Sequence, residues 1–178
     1  VIQKAGSKLI HTRPMRAKAA FLFPRTQYLQ TQEEYWNVAM SFELFRRAFG
    51  ELDIIHEEQV AKGGLKDYPM LVLCDVKLLP KGVMRKITEF VQSGGIVLAD
   101  GVPVMDELKR PMGEGLELFG VGRATNERIN WLDEANVRRV GGRVSGEAFG
   151  ERFNFPILSP RIGEPQTAQV LLSDSAGK

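Results

Sequence analysis

Cysteine and histidine are almost missing from this 178-residue sequence: Cys74 stands alone, and His11 and His56 are the only imidazoles. One thiol excludes an internal disulfide and a cysteine-built zinc site, and two histidines so far apart give no metal-ligand spacing. No apolar run approaches the roughly 20 residues that cross a bilayer, so no membrane partner is expected. The glycine patterns that cradle phosphates are also lacking, since Gly120-Val121-Gly122 supplies only two of the three glycines of a dinucleotide loop. No cofactor and no metal are therefore expected. Acidic residues are absent from residues 1–32, which hold Lys4, Lys8, Arg13, Arg16, Lys18 and Arg25, although the whole chain carries only +2. These cations are spaced singly and without interleaved aromatics, which reads as a solvated lead-in over residues 1–16 and not as a nucleic-acid arm. The sequence does not begin with methionine, and the expectation is a piece of a longer protein.

What is present is dominated by residues 68–103. Met70-Leu71-Val72-Leu73-Cys74 and Ile96-Val97-Leu98-Ala99 do not alternate with polar residues, as expected of parallel strands covered on both faces. Between them Val83, Met84, Ile87, Phe90 and Val91 mark one helical face, and Lys81, Arg85, Lys86, Glu89 and Gln92 the other. Pro80 suits the first turn and Gly94-Gly95 the stop. A βαβ unit with a right-handed crossover follows.

Upstream, Ala19-Ala20-Phe21-Leu22-Phe23 reads as a buried strand and Arg25 to Gln32 as a loop. Thr31-Gln32-Glu33-Glu34 has the form of a capping box for a helix whose stripe is Tyr35, Val38, Ala39, Phe42, Phe45 and Phe49. Leu52 to Ile55 is a second strand, and Gln59 to Tyr68 one helical turn and a loop. Val104 to Leu118 reads as an interrupted helix, and residues 123–178 as short strands or an excursion from the sheet. The fold class is α/β: a flavodoxin-like three-layer sandwich with a mainly parallel sheet, plus an irregular or short-stranded C-terminal part, with residues 17–178 as one domain.

In an open parallel sheet, ligands sit beyond the carboxyl ends of the strands. That edge collects Arg25, Thr26, Gln27, Tyr28, His56, Glu57, Asp75 and Asp100. The loop from Arg25 has no glycine to let amides surround a flavin phosphate. Cys74 lacks the sharp strand-to-helix turn of a nucleophile and reads as a buried thiol, and His56 as a hydrogen-bonded strand-end residue. Asp75 and Asp100 fit two roles, a carboxylate pair for hydrolysis or caps on the turns that follow them. A ring with many hydroxyls is the candidate ligand: Tyr28 offers a ring face, Arg25 and Gln27 donors, and Asp75 and Asp100 acceptors.

The order of these pieces, AAFLFP, then EEYWNVAMSFELFRRAFGELDII, then YPMLVLCDVKLLPKGVMRKITEFVQSGGIVLADG, with LELFGV at the end, resembles a known family. It is the class I glutamine amidotransferase-like domain that forms the middle, trimerisation domain of family 42 β-galactosidases and of related carbohydrate-active proteins. The resemblance covers residues 17 to 122. In active amidotransferases the turn after the strand equivalent to Ile96–Ala99 carries a cysteine nucleophile. Here it reads Asp100-Gly101-Val102-Pro103, and both histidines precede it. The resemblance thus implies a non-catalytic accessory and association domain, with other domains of the same protein and further copies of the chain as partners. The final LLSDSAGK resembles the first half of a hairpin.

Overall fold

Four short parallel strands build the main sheet: β1 (Ala19–Phe23), β2 (Leu52–His56), β3 (Met70–Leu73) and β4 (Ile96–Ala99), in the order β2-β1-β3-β4. These are features of a computed structural model in which residues 17–31, 36–124, 142–148, 151–157, 163–169 and 172–174 are described. Register is continuous across the sheet, with Ala19 beside Leu52 and Met70, and Met70 beside Ile96. Mixed α/β composition, a parallel sheet and helices on both faces make this a flavodoxin-like three-layer fold. The lead-in, residues 1–16, lies outside the described residues.

Alternation along the strands sends side chains to two separate cores. On one face Ala20, Leu22, Leu71 and Leu73 meet Val83, Met84, Ile87 and Phe90 of α4 (Lys81–Gln92) and Val60 of α3 (Glu57–Ala61). On the other, Ala19, Phe21, Val72 and Cys74 meet Val38, Phe42 and Phe45 of α2 (Trp36–Phe49). Phe42 sets its ring edge-on to Phe21, 5.4 Å between centroids. The apolar stripe expected of α4 is buried in full apart from half-buried Val91. Pro80 is its N-cap, and Gly94, at φ 96°, takes the left-handed turn beyond its end.

Three expectations need correction. The segment after β1 is not a loop but a helix, α1 (Arg25–Thr31). Thr31 belongs to its last turn and donates its hydroxyl to the Gln27 carbonyl, while Gln32 to Tyr35 lie outside the described residues. Second, β4 is not covered on both faces: Val97 and Ala99 are half-buried, but Ile96 is 59% and Leu98 38% exposed. The α2 helix lies over β1 and its neighbours, and among the described residues β4 is the last strand of the sheet on that side, which leaves Ile96 and Leu98 exposed. Third, Val104 to Leu118 is mostly a loop, pinned by bridges of Met105 to Leu78 and Pro111, with one short helix, α5 (Glu114–Phe119).

Beyond α5 the chain is short-stranded. β5 (Val121–Ala124) pairs with β8 (Gly163–Pro165), and β6 (Gly142–Ala148) lies between β7 (Glu151–Ile157) and β9 (Leu172–Asp174), all antiparallel. Phe153-Asn154-Phe155 falls in β7. Of the expected final piece, Leu172 to Asp174 form β9 and the rest is outside the described residues.

Candidate functional site

The carboxyl ends of β1, β2, β3 and β4 bring together the polar residues of the main sheet, and most of them bond to one another. Gln27 is 1% exposed. Because α1 starts immediately after Pro24, its third residue turns inward beneath the loop that leaves β3. There its Nε2 donates to the Asp75 carbonyl at 2.7 Å, and its Oε1 accepts from the amides of Lys77 at 2.7 Å and Leu78 at 3.1 Å. Both ends of the amide therefore serve the loop's backbone.

Asp75 is buried and holds φ 53°, a left-handed conformation that aspartate tolerates better than most residues. Its amide donates to Asp100 Oδ1 at 2.7 Å. The exposed Asp100 thus caps its neighbour's turn across the strand ends. Gln27, Asp75 and Asp100 form one connected chain. Arg25 lies apart, paired at the surface with Glu58 at 2.7 Å. Tyr28 is half-buried, its ring stacked on Phe23 at 5.4 Å and 29°, and exposed His56 meets the same phenylalanine edge-on.

Glu57, which its sequence position puts at this edge, received no role from the sequence. It is only 4% exposed, and both carboxylate oxygens accept from the Thr26 amide, at 3.1 and 3.2 Å, while the Thr26 hydroxyl donates to Oε2. Burial raises its pKa above the ordinary carboxylate value, against the lowering effect of the Thr26 bonds. A protein carboxylate thereby occupies the place over the first turn after β1 where flavodoxin-like proteins hold a phosphate. The available signal was position alone, since Glu57 is the first residue after β2.

A second polar hub closes the same edge. Asp106 is fully buried and accepts from the amides of Leu108 and Arg110 at 2.9 Å each and from the Arg110 guanidinium at 2.8 Å. Burial alone would raise its pKa, but these donors outweigh it and hold the group at about 2. Next to it, Glu107 accepts from the Lys81 amide at the start of α4, and its carbonyl accepts from Gln30 of α1. The loop is thus tied to both helices. Among the described residues no group of three potential ligands surrounds a metal position, and no helix is long and apolar enough to cross a membrane.

No protein-family model matches the chain, and no curated protein does. Solved structures do. The β-galactosidase from Bacillus circulans sp. alkalophilus aligns with 97% of this chain at TM-score 0.71 and 15% identity. A catalytic mutant of Gan42B, a GH42 β-galactosidase from G. stearothermophilus, aligns with 96% at TM-score 0.66 and 15% identity. The β-galactosidase from Bifidobacterium adolescentis aligns with 89% at TM-score 0.50 and 16% identity, over 77% of that chain. This chain spans only about a quarter of the first two, 26% and 25%. Its fold is therefore that of a region within GH42 β-galactosidase chains.

Proposed function

We propose that this chain is a non-catalytic accessory and association domain of a carbohydrate-active multidomain protein of the β-galactosidase kind, as the amidotransferase-like resemblance implies. The observation that carries the reading is the alignment of nearly the whole chain with a quarter of larger β-galactosidases, 97% against 26% in one case. The chemistry of the crevice supports it. Gln27 is spent on backbone and one Asp100 oxygen on the Asp75 amide, so these two of the groups expected to contact a ligand help to hold the fold. Exposed Met40 and Leu44, one turn apart on the outer face of α2, offer apolar surface to a neighbouring domain or copy.

The test is hydrolysis of a chromogenic galactoside by the full-length protein that carries this domain, by its Asp75→Asn and Asp100→Asn variants, and by the 178-residue chain alone. The expected result is activity in the first, activity retained by folded variants, and none in the isolated chain. Turnover by the isolated chain that both substitutions abolish would establish the rival reading, a hydrolase using Asp75 and Asp100. Light scattering of the full-length protein at tens of micromolar should give a homo-oligomer, and a monomer would remove the association role.

One observation favours a second reading, a sugar-binding crevice contacted by Arg25, Gln27, Tyr28, Asp75 and Asp100. Asp100 is exposed beside the Asp75 and Gln27 chain. Calorimetric titration with galactose, compared between the parent chain and Asp100→Ala, decides it: heat lost in the variant supports binding, and no heat with either ends it.

A further inference from the structure

Past Ala99 the chain leaves the β4 ladder. Asp100 makes the last bond to the neighbouring strand, its amide donating to the Leu73 carbonyl at 3.2 Å. The next residue, Gly101, is half-buried and donates its amide to no group among the described residues. Asp100 is exposed, and alone among the aspartates of the sequence it precedes a glycine. Asp75 and Asp106, both buried, are followed by Val76 and Glu107, whose own side chains stand beside the amide that would have to react.

We propose that Asp100-Gly101 is a site of spontaneous isomerisation, where the aspartyl link passes through a cyclic imide to an isoaspartyl one. The Gly101 nitrogen adds to Asp100 Cγ, and the proton it gives up leaves with a carboxyl oxygen as water. Water then opens the imide. Attack at Cγ breaks the new bond and restores aspartate. Attack at the main-chain carbonyl breaks the original peptide bond instead and leaves the chain running through Cγ. Nothing is oxidised or reduced, and solvent is the only co-reactant.

Local structure favours the step. Glycine has no Cβ to obstruct the approach of its nitrogen, and its conformational freedom lets the chain turn toward the aspartate side chain. An amide outside the ladder gives up no hydrogen bond when it reacts. The Asp75 amide, 2.7 Å from Asp100 Oδ1, faces the oxygen on which negative charge gathers as the nitrogen adds, as a donor in an oxyanion hole does. That donor is held by the left-handed turn at Asp75, whose carbonyl accepts from the buried Gln27. The product cannot keep the contact. With the main chain routed through Cβ and Cγ, the carboxylate sits directly on Cα and the connection out of β4 gains a backbone atom. Isomerisation therefore uncouples Asp100 from Asp75 and Gln27. The inference is independent of the accessory-domain reading, since it concerns only this strand end.

The test is to incubate the folded 178-residue chain at neutral pH in heavy-oxygen water and digest it with trypsin. The peptide 87–109 should split into two chromatographic forms of the same composition, the new one carrying heavy oxygen and accepting label from an isoaspartate-specific methyltransferase. Fragmentation should place the altered link at Asp100. The label should be lost in Asp100→Glu, which would have to close a larger and slower-forming ring. Asp100→Asn should release ammonia and reach the same pair of products faster. A urea-unfolded sample of the parent chain supplies the reference and keeps the proposal testable if a variant fails to fold. The converted fraction should also unfold at lower urea than fresh protein. An isoaspartyl form that arises in the unfolded sample and not in the folded one would overturn the proposal. So would label that Asp106, in the same peptide, carries in place of Asp100.

Discussion

At Gln27 a single side-chain amide closes three backbone groups of the loop after β3. Gln27→Leu keeps the size and removes donor and acceptor together, leaving buried Leu78 N–H and Asp75 C=O without that partner. The expected cost is about 3 kcal/mol, read as a lower urea midpoint at unchanged slope. The sequence could nominate Gln27 as a polar residue at the right edge but not say which way it faced. That depends on α1 starting at Arg25, and its seven residues carry no apolar stripe by which to find it. Glu57 and Asp106 give opposite pH signatures. Glu57 has a folded pKa above its unfolded one, so its contribution to stability is fullest at low pH and declines as pH rises through the folded value. The thermal midpoint of the parent chain relative to Glu57→Gln should therefore rise as pH falls from 7 to 5. Asp106 is lowered from 3.8 to about 2, so its contribution is complete above the ordinary value and is lost as pH falls between the two. Asp106→Asn should flatten the acid limb of the unfolding curve in that window.

Among the elements, α4 and the glycine of α5 are the most sharply determined. Ile87 is fully buried against the sheet, and Ile87→Ala should cost about 2 to 5 kcal/mol in denaturant unfolding. Leu44→Ala, 65% exposed on the outer face of α2, should change stability by under about 0.5 kcal/mol. A Cβ on Gly115 would lie 1.9 Å from the Pro103 carbonyl oxygen, so Gly115→Ala must push α5 away from the loop that follows β4. A loss of roughly 1 to 3 kcal/mol or more is expected, with near-ultraviolet circular dichroism reporting the shift. Elements with a period were legible beforehand: the stripe of α4, Val38, Phe42 and Phe45 of the α2 stripe, and the apolar runs of β1, β3 and β4 lie where their spacing puts them. The exposure of β4 was not legible, because a run of four apolar residues states what a strand would bury and not whether anything lies over it. The loop from Val104 to Met112 was misread for a related reason. Its order comes in part from Glu107 and Met105 bonding to distant partners, which no local pattern encodes.

For the molecule as a whole, three-layer organisation followed from two unbroken apolar strands flanking an amphipathic helix. The candidate site was legible only as a location. Chain order placed Arg25, Gln27, Tyr28, Asp75 and Asp100 at one edge, but whether a group there faces a solute or a neighbouring amide is decided by distances of an ångström. The strand order also carries a consequence for how the molecule comes into being. β1 lies between β2 and β3, so as the chain leaves the ribosome it can pair on one side early but must wait for Met70 to pair on the other. Synthesis at 5–20 residues per second makes that wait on the order of several seconds, during which Phe21 and Leu22 lack half their final neighbours. Slowing translation between Phe49 and Met70 should lengthen this interval and raise the share of nascent chain held by chaperones, which ribosome-associated pull-down would register.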